Sequence, residues 1–226
     1  ETAEKVTVYL DECRKMGITI LPPDINESYT DFTVVDGKIR FGLAAVKGIG
    51  RDVVDHIIEE REQNGPFTSL GDLSRRLLLN KRVVEGLIKA GALDCFGARR
   101  SQLMAVYEKA LELGKQYAQE KASLQISLFD FGMEEQKVVE VELPMIEEYN
   151  QMELLNMEKE SIGFFISGHP MDEYEEIIRN VATHNTMKLA DVSNNARVKI
   201  AGLISQNQPR LTKKGDSMSI FNLEDK

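Results

Sequence analysis

The stretch Leu43–Glu62, LAAVKGIGRDVVDHIIEERE, decides the fold of this chain. Two glycines one residue apart, Gly48 and Gly50, interrupt a sequence that is otherwise typical of helices. Glycine adopts positive φ values at little steric cost, so this spacing predicts a tight turn. Apolar residues then recur at helical spacing from Val53 to Ile58, which predicts a helix after the turn. The stretch therefore predicts two helices joined by a short hairpin.

The hairpin has the composition of an anion site. Four consecutive amides are expected to converge at a helix N-terminus, where the helix dipole favours negative charge. They belong to Gly48, Ile49, Gly50 and Arg51, and the side chains of Lys47 and Arg51 add positive charge. This arrangement is the helix-hairpin-helix design, which binds DNA phosphates without reading bases. A helical corner without a ligand is the alternative, and the residues alone leave it open.

A looser copy of the same plan follows, NKRVVEGLIKAGALDCFGARRSQLMAVYEKALEL, over residues 80–113. Two such units in tandem form an internal repeat. The residues of this copy that are predicted to contact DNA are Lys81, Arg82, Gly91, Arg99 and Arg100. Asp94 would repel phosphate, so the copy either binds DNA or only braces the first hairpin.

The pentapeptide QISLF, Gln125–Phe129, stands in a polar stretch, 114–143, that we interpret as a linker. Leu128 and Phe129 would fill an apolar pocket of a partner, while Gln125 would fix the register. A few residues carry most of the energy of such a docking motif. Packing of Leu128 and Phe129 back onto the chain's own helices is the alternative.

The two ends of the chain combine short strands with helices. Residues 1–42 predict a helix up to Met16 and a hairpin that turns at Asp36-Gly37, and we expect this segment to pack on something outside the chain. Pro144 to Ile162 predicts an acidic amphipathic helix. From Val198 onwards the pattern alternates like strands, with a basic loop of Arg210, Lys213 and Lys214. That loop either lines a groove for single-stranded nucleic acid, as in OB-folds, or is only solvated.

Composition limits the function classes. The net charge of the 226 residues is −9, but 13 acids and 3 bases between residues 133 and 185 account for it, whereas residues 43–100 carry 10 bases and 8 acids. The local field of a basic region matters more to a partner than the net value. No membrane span, secretory leader, disulfide framework or metal-ligand spacing is found, so we expect a cytoplasmic protein without a bound cofactor. No catalytic residue is predicted, and His56 is expected on a solvated helix face.

Several ordered motifs give the chain a resemblance to a known family. YLDECRKMGITILPPDINES, FGLAAVKGIG, GPFTSLGDL, LIKAGALDCFG, EKESIGFFISGHPM and KIAGLISQ occur in this order. The chain resembles the C-family of bacterial replicative DNA polymerases over essentially its whole length. The resemblance implies a mainly α fold: a tandem helix-hairpin-helix domain, a small α+β N-terminal segment and a truncated OB-like β segment at the C-terminus.

The resemblance also implies a role for each segment. Residues 1–42 would be the tail of the fingers region, 43–113 the duplex-DNA-binding domain, 144–185 an acidic helical segment and 186–226 an incomplete OB-fold. The linker 114–143 would bind the sliding clamp, the beta subunit, through Gln125, Ser127, Leu128 and Phe129.

The implied partners are duplex DNA, the clamp, single-stranded template and other replisome subunits at the nucleoid. The palm aspartates that use Mg²⁺ match nothing here, and both ends look cut, so we expect a DNA-directed DNA polymerase only in the longer parent protein.

Two other readings are open. A repair enzyme of the helix-hairpin-helix type would need a catalytic carboxylate downstream of the hairpin, and Asp72 is the candidate. A helical scaffold without a role on nucleic acid would suit the acidic stretch between residues 133 and 185.

Overall fold

A computed structural model describes residues 3–127 and 141–225. The chain divides into two units, Glu1–Ser167 and Gly168–Lys226. Helices account for most of the first unit, so the predicted fold class, mainly α with small sheets, is confirmed. The division at Ser167 differs from the predicted segment 144–185, because residues 141–167 pack with the first unit.

The elements follow one another in this order. In the first unit the helices are α1 (Ala3–Lys15), α2 (Arg51–Asn64), α3 (Leu70–Arg76), α4 (Lys81–Lys89), α5 (Arg100–Ser127) and α6 (Gln151–Ser161), and the strands are β1 (Ile20–Leu21), β2 (Thr33–Val35) and β3 (Lys38–Arg40). Short 3-10 turns cover Leu43–Ala45 and Asp94–Phe96. The second unit has α7 (Glu175–Val181), β4 (Leu203–Leu211), β5 (Ser217–Glu224) and 3-10 turns at Asp172–Tyr174 and Met187–Asp191.

The N-terminal segment forms a small mixed sheet. β2 and β3 pair as an antiparallel hairpin, and β1 lies parallel to β3. Asp36 and Gly37 both have positive φ, 50° and 74°, as a two-residue hairpin turn requires. The hairpin predicted from Asp36-Gly37 is therefore confirmed.

This segment packs on the chain's own helices. Ile25 and Phe41 are fully buried in the core, and the Ile25 amide donates to the Ala92 carbonyl over 2.8 Å. Ser28 Oγ, also buried, donates to the Phe41 carbonyl. The expectation that the segment packs on something outside the chain is wrong for these residues, because the second helix-hairpin-helix copy covers them.

The helices form one apolar core in which α3, α4 and α5 meet. Leu73, Leu87 and Leu103 are essentially unexposed, and burial of each such side chain contributes about 1.5–3 kcal/mol. α3 and α5 approach closely at Gly114, where a Cβ atom would lie 2.2 Å from the Ser74 carbonyl oxygen. Any larger residue at 114 would therefore separate the two helices.

α5 is longer than the sequence indicates. It runs through Ser127, so the first 14 residues of the predicted linker 114–143 are helical. After the residues that the structure does not describe, 141–150 are irregular, and α6 begins only at Gln151. The Asn150 side chain accepts from the Glu153 amide and the Glu153 side chain accepts from the Asn150 amide, a capping box that sets this start. The observed helix α6 thus begins seven residues later than the predicted start at Pro144.

The described part of the second unit contains a two-stranded antiparallel sheet, β4–β5. Its register shifts between Ser205 and Gln208, where Gln206 has a φ of 54°, which marks a β-bulge. The strand begins at Leu203, five residues after the predicted Val198. The OB-fold remains a prediction. Across the described ranges, none of the helices is both apolar enough and long enough to traverse a bilayer.

Candidate nucleic-acid interface

The first hairpin, Val46–Gly50, joins the 3-10 turn at Leu43 to α2. Gly48 has a φ of 83°, and Gly50 is the extended N-cap of α2. Ile49 is 8% exposed and packs into the core, whereas Gly48 and Gly50 are exposed. The hydrophobic residue between the glycines therefore anchors the hairpin and leaves its backbone at the surface.

Backbone amides of this hairpin are open to a ligand. The Ile49 amide bonds the Val46 carbonyl at 3.3 Å, but the amides of Gly48, Gly50 and Arg51 have no acceptor among the described residues. Gly50 has no side chain that could cap α2, unlike Ser69 before α3 and Asn80 before α4. Unpaired amides at the positive end of a helix are suited to bind an anion.

The predicted cations around the first hairpin have different environments. Lys47 Nζ donates to the carbonyls of Glu160 (3.1 Å) and Lys159 (3.4 Å), so it binds the C-terminal end of α6. Arg51 forms an exposed ion pair of 2.9 Å with Asp31. The Arg82 guanidinium lies against Gly48, where a Cβ atom would be 2.8 Å from Arg82 Nε. Arg82 thus brings α4, the first helix of the second helix-hairpin-helix copy, to the first hairpin.

The second hairpin is built differently. Ala90, Ala92 and Leu93 are fully buried, and Gly91 has a φ of 78°. The Gly91 amide bonds the Ile88 carbonyl and the Ala92 amide bonds the Leu87 carbonyl. Because the amides of Gly91 and Ala92 bond carbonyls within the chain, this hairpin braces the core. The sequence left open whether the second copy binds DNA or only braces the first hairpin, and the geometry supports the bracing role.

Arg100 is buried rather than available to phosphate. It is 7% exposed, and its guanidinium bonds both carboxylate oxygens of Asp94, at 2.7 and 3.0 Å. Burial lowers the pKa of Arg100, but Asp94, Glu158 and Glu148 together raise it above its ordinary value. The prediction that Arg100 binds DNA is not supported, because Asp94 holds the guanidinium inside the molecule.

The other predicted cations of the second copy are at the surface. Lys81 pairs with Glu108 over 2.8 Å, and Glu108 raises the pKa of Lys81. Arg99 Nη1 donates to the Ile146 carbonyl over 2.7 Å. Both side chains are exposed, but each already has a partner within the chain.

Acidic residues that sequence reasoning left without a role hold this region together. Glu148 accepts from the amides of Arg100 (2.9 Å) and Ser101 (3.0 Å) and so caps α5. Glu158 is fully buried; its Oε2 accepts from the amides of Ile166 and Ser167. Position 158 follows Leu155 by three residues and precedes Ile162 by four, so its place on an apolar stripe was the available signal.

Asp72, the candidate catalytic carboxylate of the repair-enzyme reading, has a structural environment. It pairs with Arg75 (2.9 Å) and Arg76 (3.2 Å) and accepts from the Thr68 amide. Burial raises its pKa, but these bonds lower it overall. His56 is exposed, as expected, and no group of three or more His, Cys, Asp or Glu side chains could hold a metal ion among the described residues.

The remaining predicted contacts lie outside the hairpins. The backbone of Gln125 and Ser127 belongs to the last turn of α5, whereas Leu128 and Phe129 lie outside the described residues. In the second unit Arg210 is the second-last residue of β4, and exposed Lys213 and Lys214 form the turn to β5. Within the first unit, the structure thus brings Lys47, Gly48, Gly50, Arg51 and Arg82 together at the first hairpin.

Comparisons with known proteins agree with this geometry. Residues 17–103 match the family described as the helix-hairpin-helix motif. The chain is 37% identical over 227 residues to the DNA polymerase III subunit alpha of Treponema pallidum, covering 99% of this chain and 19% of that protein. It is 40% identical to the same subunit of Deinococcus radiodurans (99% and 18%) and 36% identical to that of Escherichia coli K12 (100% and 20%).

The predicted resemblance is therefore confirmed. The chain spans about a fifth of the length of the curated relatives it matches. It is homologous along essentially its whole length to a segment of DNA polymerase III alpha subunits, and within it residues 17–103 match the helix-hairpin-helix motif.

Proposed function

We propose that the chain is the DNA- and clamp-binding segment of a bacterial replicative DNA polymerase, and that its first hairpin binds the phosphates of duplex DNA. The observation that carries the proposal is the set of unpaired amides at Gly48, Gly50 and Arg51, with Arg82 alongside. Binding through phosphates alone is independent of sequence and strongly dependent on salt. The palm aspartates and Mg²⁺ would belong to the longer polymerase, so the chain alone is expected to lack synthesis activity.

The hairpin is tested by charge reversal. Lys47→Glu with Arg51→Glu should weaken binding of a fluorescent duplex and reduce the slope of log K against log salt by about 1 for each lost phosphate contact. Lys109→Glu with Lys115→Glu, two exposed positions on α5, changes the net charge equally and should leave the slope unaltered. Equal slopes for the two double variants would contradict the proposal.

The clamp contact is proposed from the QISLF motif and the homology. Leu128→Ala with Phe129→Ala should abolish binding to a bacterial sliding clamp in a pull-down, because these two side chains would carry most of the binding energy. Val138→Ala with Val139→Ala is the control within the same stretch. A large drop in melting temperature for the first pair alone would instead support packing of Leu128 and Phe129 on the chain's own helices.

The second unit is proposed to contact single-stranded template through Arg210, Lys213 and Lys214. All three are exposed at one end of the β4–β5 hairpin. Replacing the three with Glu should weaken binding of a single-stranded oligonucleotide and leave duplex binding nearly unchanged. The longer parent protein is proposed to act at the nucleoid together with other replisome subunits.

A further inference from the structure

The first hairpin is attached to α6 by backbone and side chain. The Lys47 amide donates to the Ser161 carbonyl over 2.7 Å, and Lys47 Nζ bonds the Glu160 carbonyl. Ser161 is the last residue of α6, so one carbonyl at the end of that helix fixes the residue directly before Gly48. The position of α6 therefore sets the position of the hairpin backbone.

α6 is in turn held by a buried carboxylate. Glu158 is 0% exposed, and its Oε2 accepts from the amides of Ile166 (3.0 Å) and Ser167 (3.1 Å). Its Oε1 has no hydrogen-bond partner in the described residues and lies 3.6 Å from Arg100 Nη2. A charge removed from water needs a nearby opposite charge to be tolerated, and Arg100 provides it.

Arg100 completes the connection to the second hairpin. Its guanidinium bonds Asp94 and occupies the space beside Gly91, where a Cβ atom would lie 2.2 Å from Nη2. Glu160 adds an ion pair of 2.9 Å with Lys89 of α4. The buried second hairpin is thus connected through Arg100, Glu158 and α6 to the exposed first one.

We infer that Glu158 is a positioning residue for duplex binding: it docks α6 on Arg100, and the end of α6 holds Lys47 so that the amides of Gly48 and Gly50 face phosphate. The inference deepens the proposed function and rests on it for its DNA part. Its ligand chemistry is the phosphodiester backbone of duplex DNA. Glu158 itself does not touch the ligand.

The test uses Glu158→Gln in the 226-residue chain. Glutamine keeps the size and the acceptor for the Ile166 and Ser167 amides but removes the charge opposite Arg100. Because bonds to charged groups are the stronger ones, hydrogen exchange of the Lys47 amide should accelerate about tenfold. The salt slope of duplex binding should fall by about 1, a change that mere loss of folded protein does not produce. Glu147→Gln, exposed and in the same acidic stretch, is the charge-matched control and should alter neither quantity.

A second variant covers the case in which Glu158→Gln does not fold. Glu160 is 67% exposed, and Glu160→Gln removes only the pair with Lys89, so exchange at Lys47 should accelerate about threefold. Unchanged exchange at Lys47 in the folded variants overturns the inference whether or not DNA binds. Faster exchange with an unchanged salt slope overturns the link to DNA. A wild-type chain that fails to bind duplex refutes the proposed function, while the exchange data still decide the role of Glu158 in holding the hairpin.

Discussion

Replacing Gly91 by alanine should be among the most destabilising single changes in the chain. Two costs add at this position. With a φ of 78°, a residue with a Cβ pays about 1–2 kcal/mol for left-handed backbone. The new Cβ would also lie 2.2 Å from Arg100 Nη2 and 3.0 Å from Asp94 Oδ2.

Moving the guanidinium away from the new Cβ atom has a cost. The Arg100 side chain is 9% exposed, and leaving its place would break the pair with Asp94 and leave Glu158 buried without a cation. Breaking a buried pair costs about 3–5 kcal/mol, so the total for Gly91→Ala is about 4–7 kcal/mol. That is a large part of the 5–15 kcal/mol by which a domain is typically stable.

Gly97→Ala is the matched control for this experiment. Gly97 has nearly the same φ, 71°, and no atom within 4 Å of an added Cβ, so only the backbone cost of about 1–2 kcal/mol applies. Urea denaturation followed by circular dichroism at 222 nm would give both values. If Gly91→Ala lowers the free energy of unfolding no more than Gly97→Ala does, the conclusion that Arg100 is held rigidly is refuted.

Two further predictions concern titrating groups. Burial raises the pKa of Glu148, but hydrogen bonds from the backbone amides of Ser101, Tyr149 and Arg100 bring it below its ordinary value. The Glu148 carboxylate therefore stabilises the folded chain fully above its unfolded-state pKa, and this stabilisation is lost as pH falls through the folded-state pKa. Glu148→Gln should therefore lower the melting temperature at pH 7, and the difference from wild type should shrink as the pH falls through the lowered folded-state pKa; a constant difference would contradict the cap. Burial, and then Asp24, raise the pKa of Cys95 to about 12. About one thiol in 10⁴ is then ionised at pH 8, so mass spectrometry should show slow iodoacetamide labelling of native Cys95 that becomes fast in urea.

The sequence predicted correctly those turns and helices whose conformation depends on neighbouring residues. Asp36-Gly37 has few backbone options and gave the hairpin as predicted. Gly48 and Gly50 around a buried Ile49 gave the exposed hairpin, because glycine permits the turn and the apolar residue orients it. The apolar periodicity from Val53 to Ile58 likewise predicted the buried face of α2, where Val54 and Ile57 are fully buried.

Two of the failures come from side-chain contacts that the spacing of apolar residues does not reveal. Arg100 looked like a surface cation beside Arg99, but its guanidinium bonds Asp94 and lies 3.6 Å from the buried Glu158, 58 positions later. Residues 144–150 were expected to be helical, yet the Pro144 and Ile146 carbonyls are acceptors for Gln102 and Arg99, and Glu148 caps α5. The helical spacing of apolar residues in the sequence carries no information on such hydrogen bonds.

The uninterrupted course of α5 restricts how the chain can change in length. At 1.5 Å per residue, Gln125 stands about 38 Å along the axis from Arg100. One residue inserted or deleted between them changes this separation by only about 1.5 Å but rotates everything beyond it by about 100° around the axis. Seven residues, by contrast, preserve the direction to within about 20° while changing the reach by about 10 Å. Insertions or deletions between Arg100 and Gln125 are thus expected to be tolerated in steps of about seven residues. The direction in which Gln125 faces around the helix axis restricts them more than its distance from Arg100.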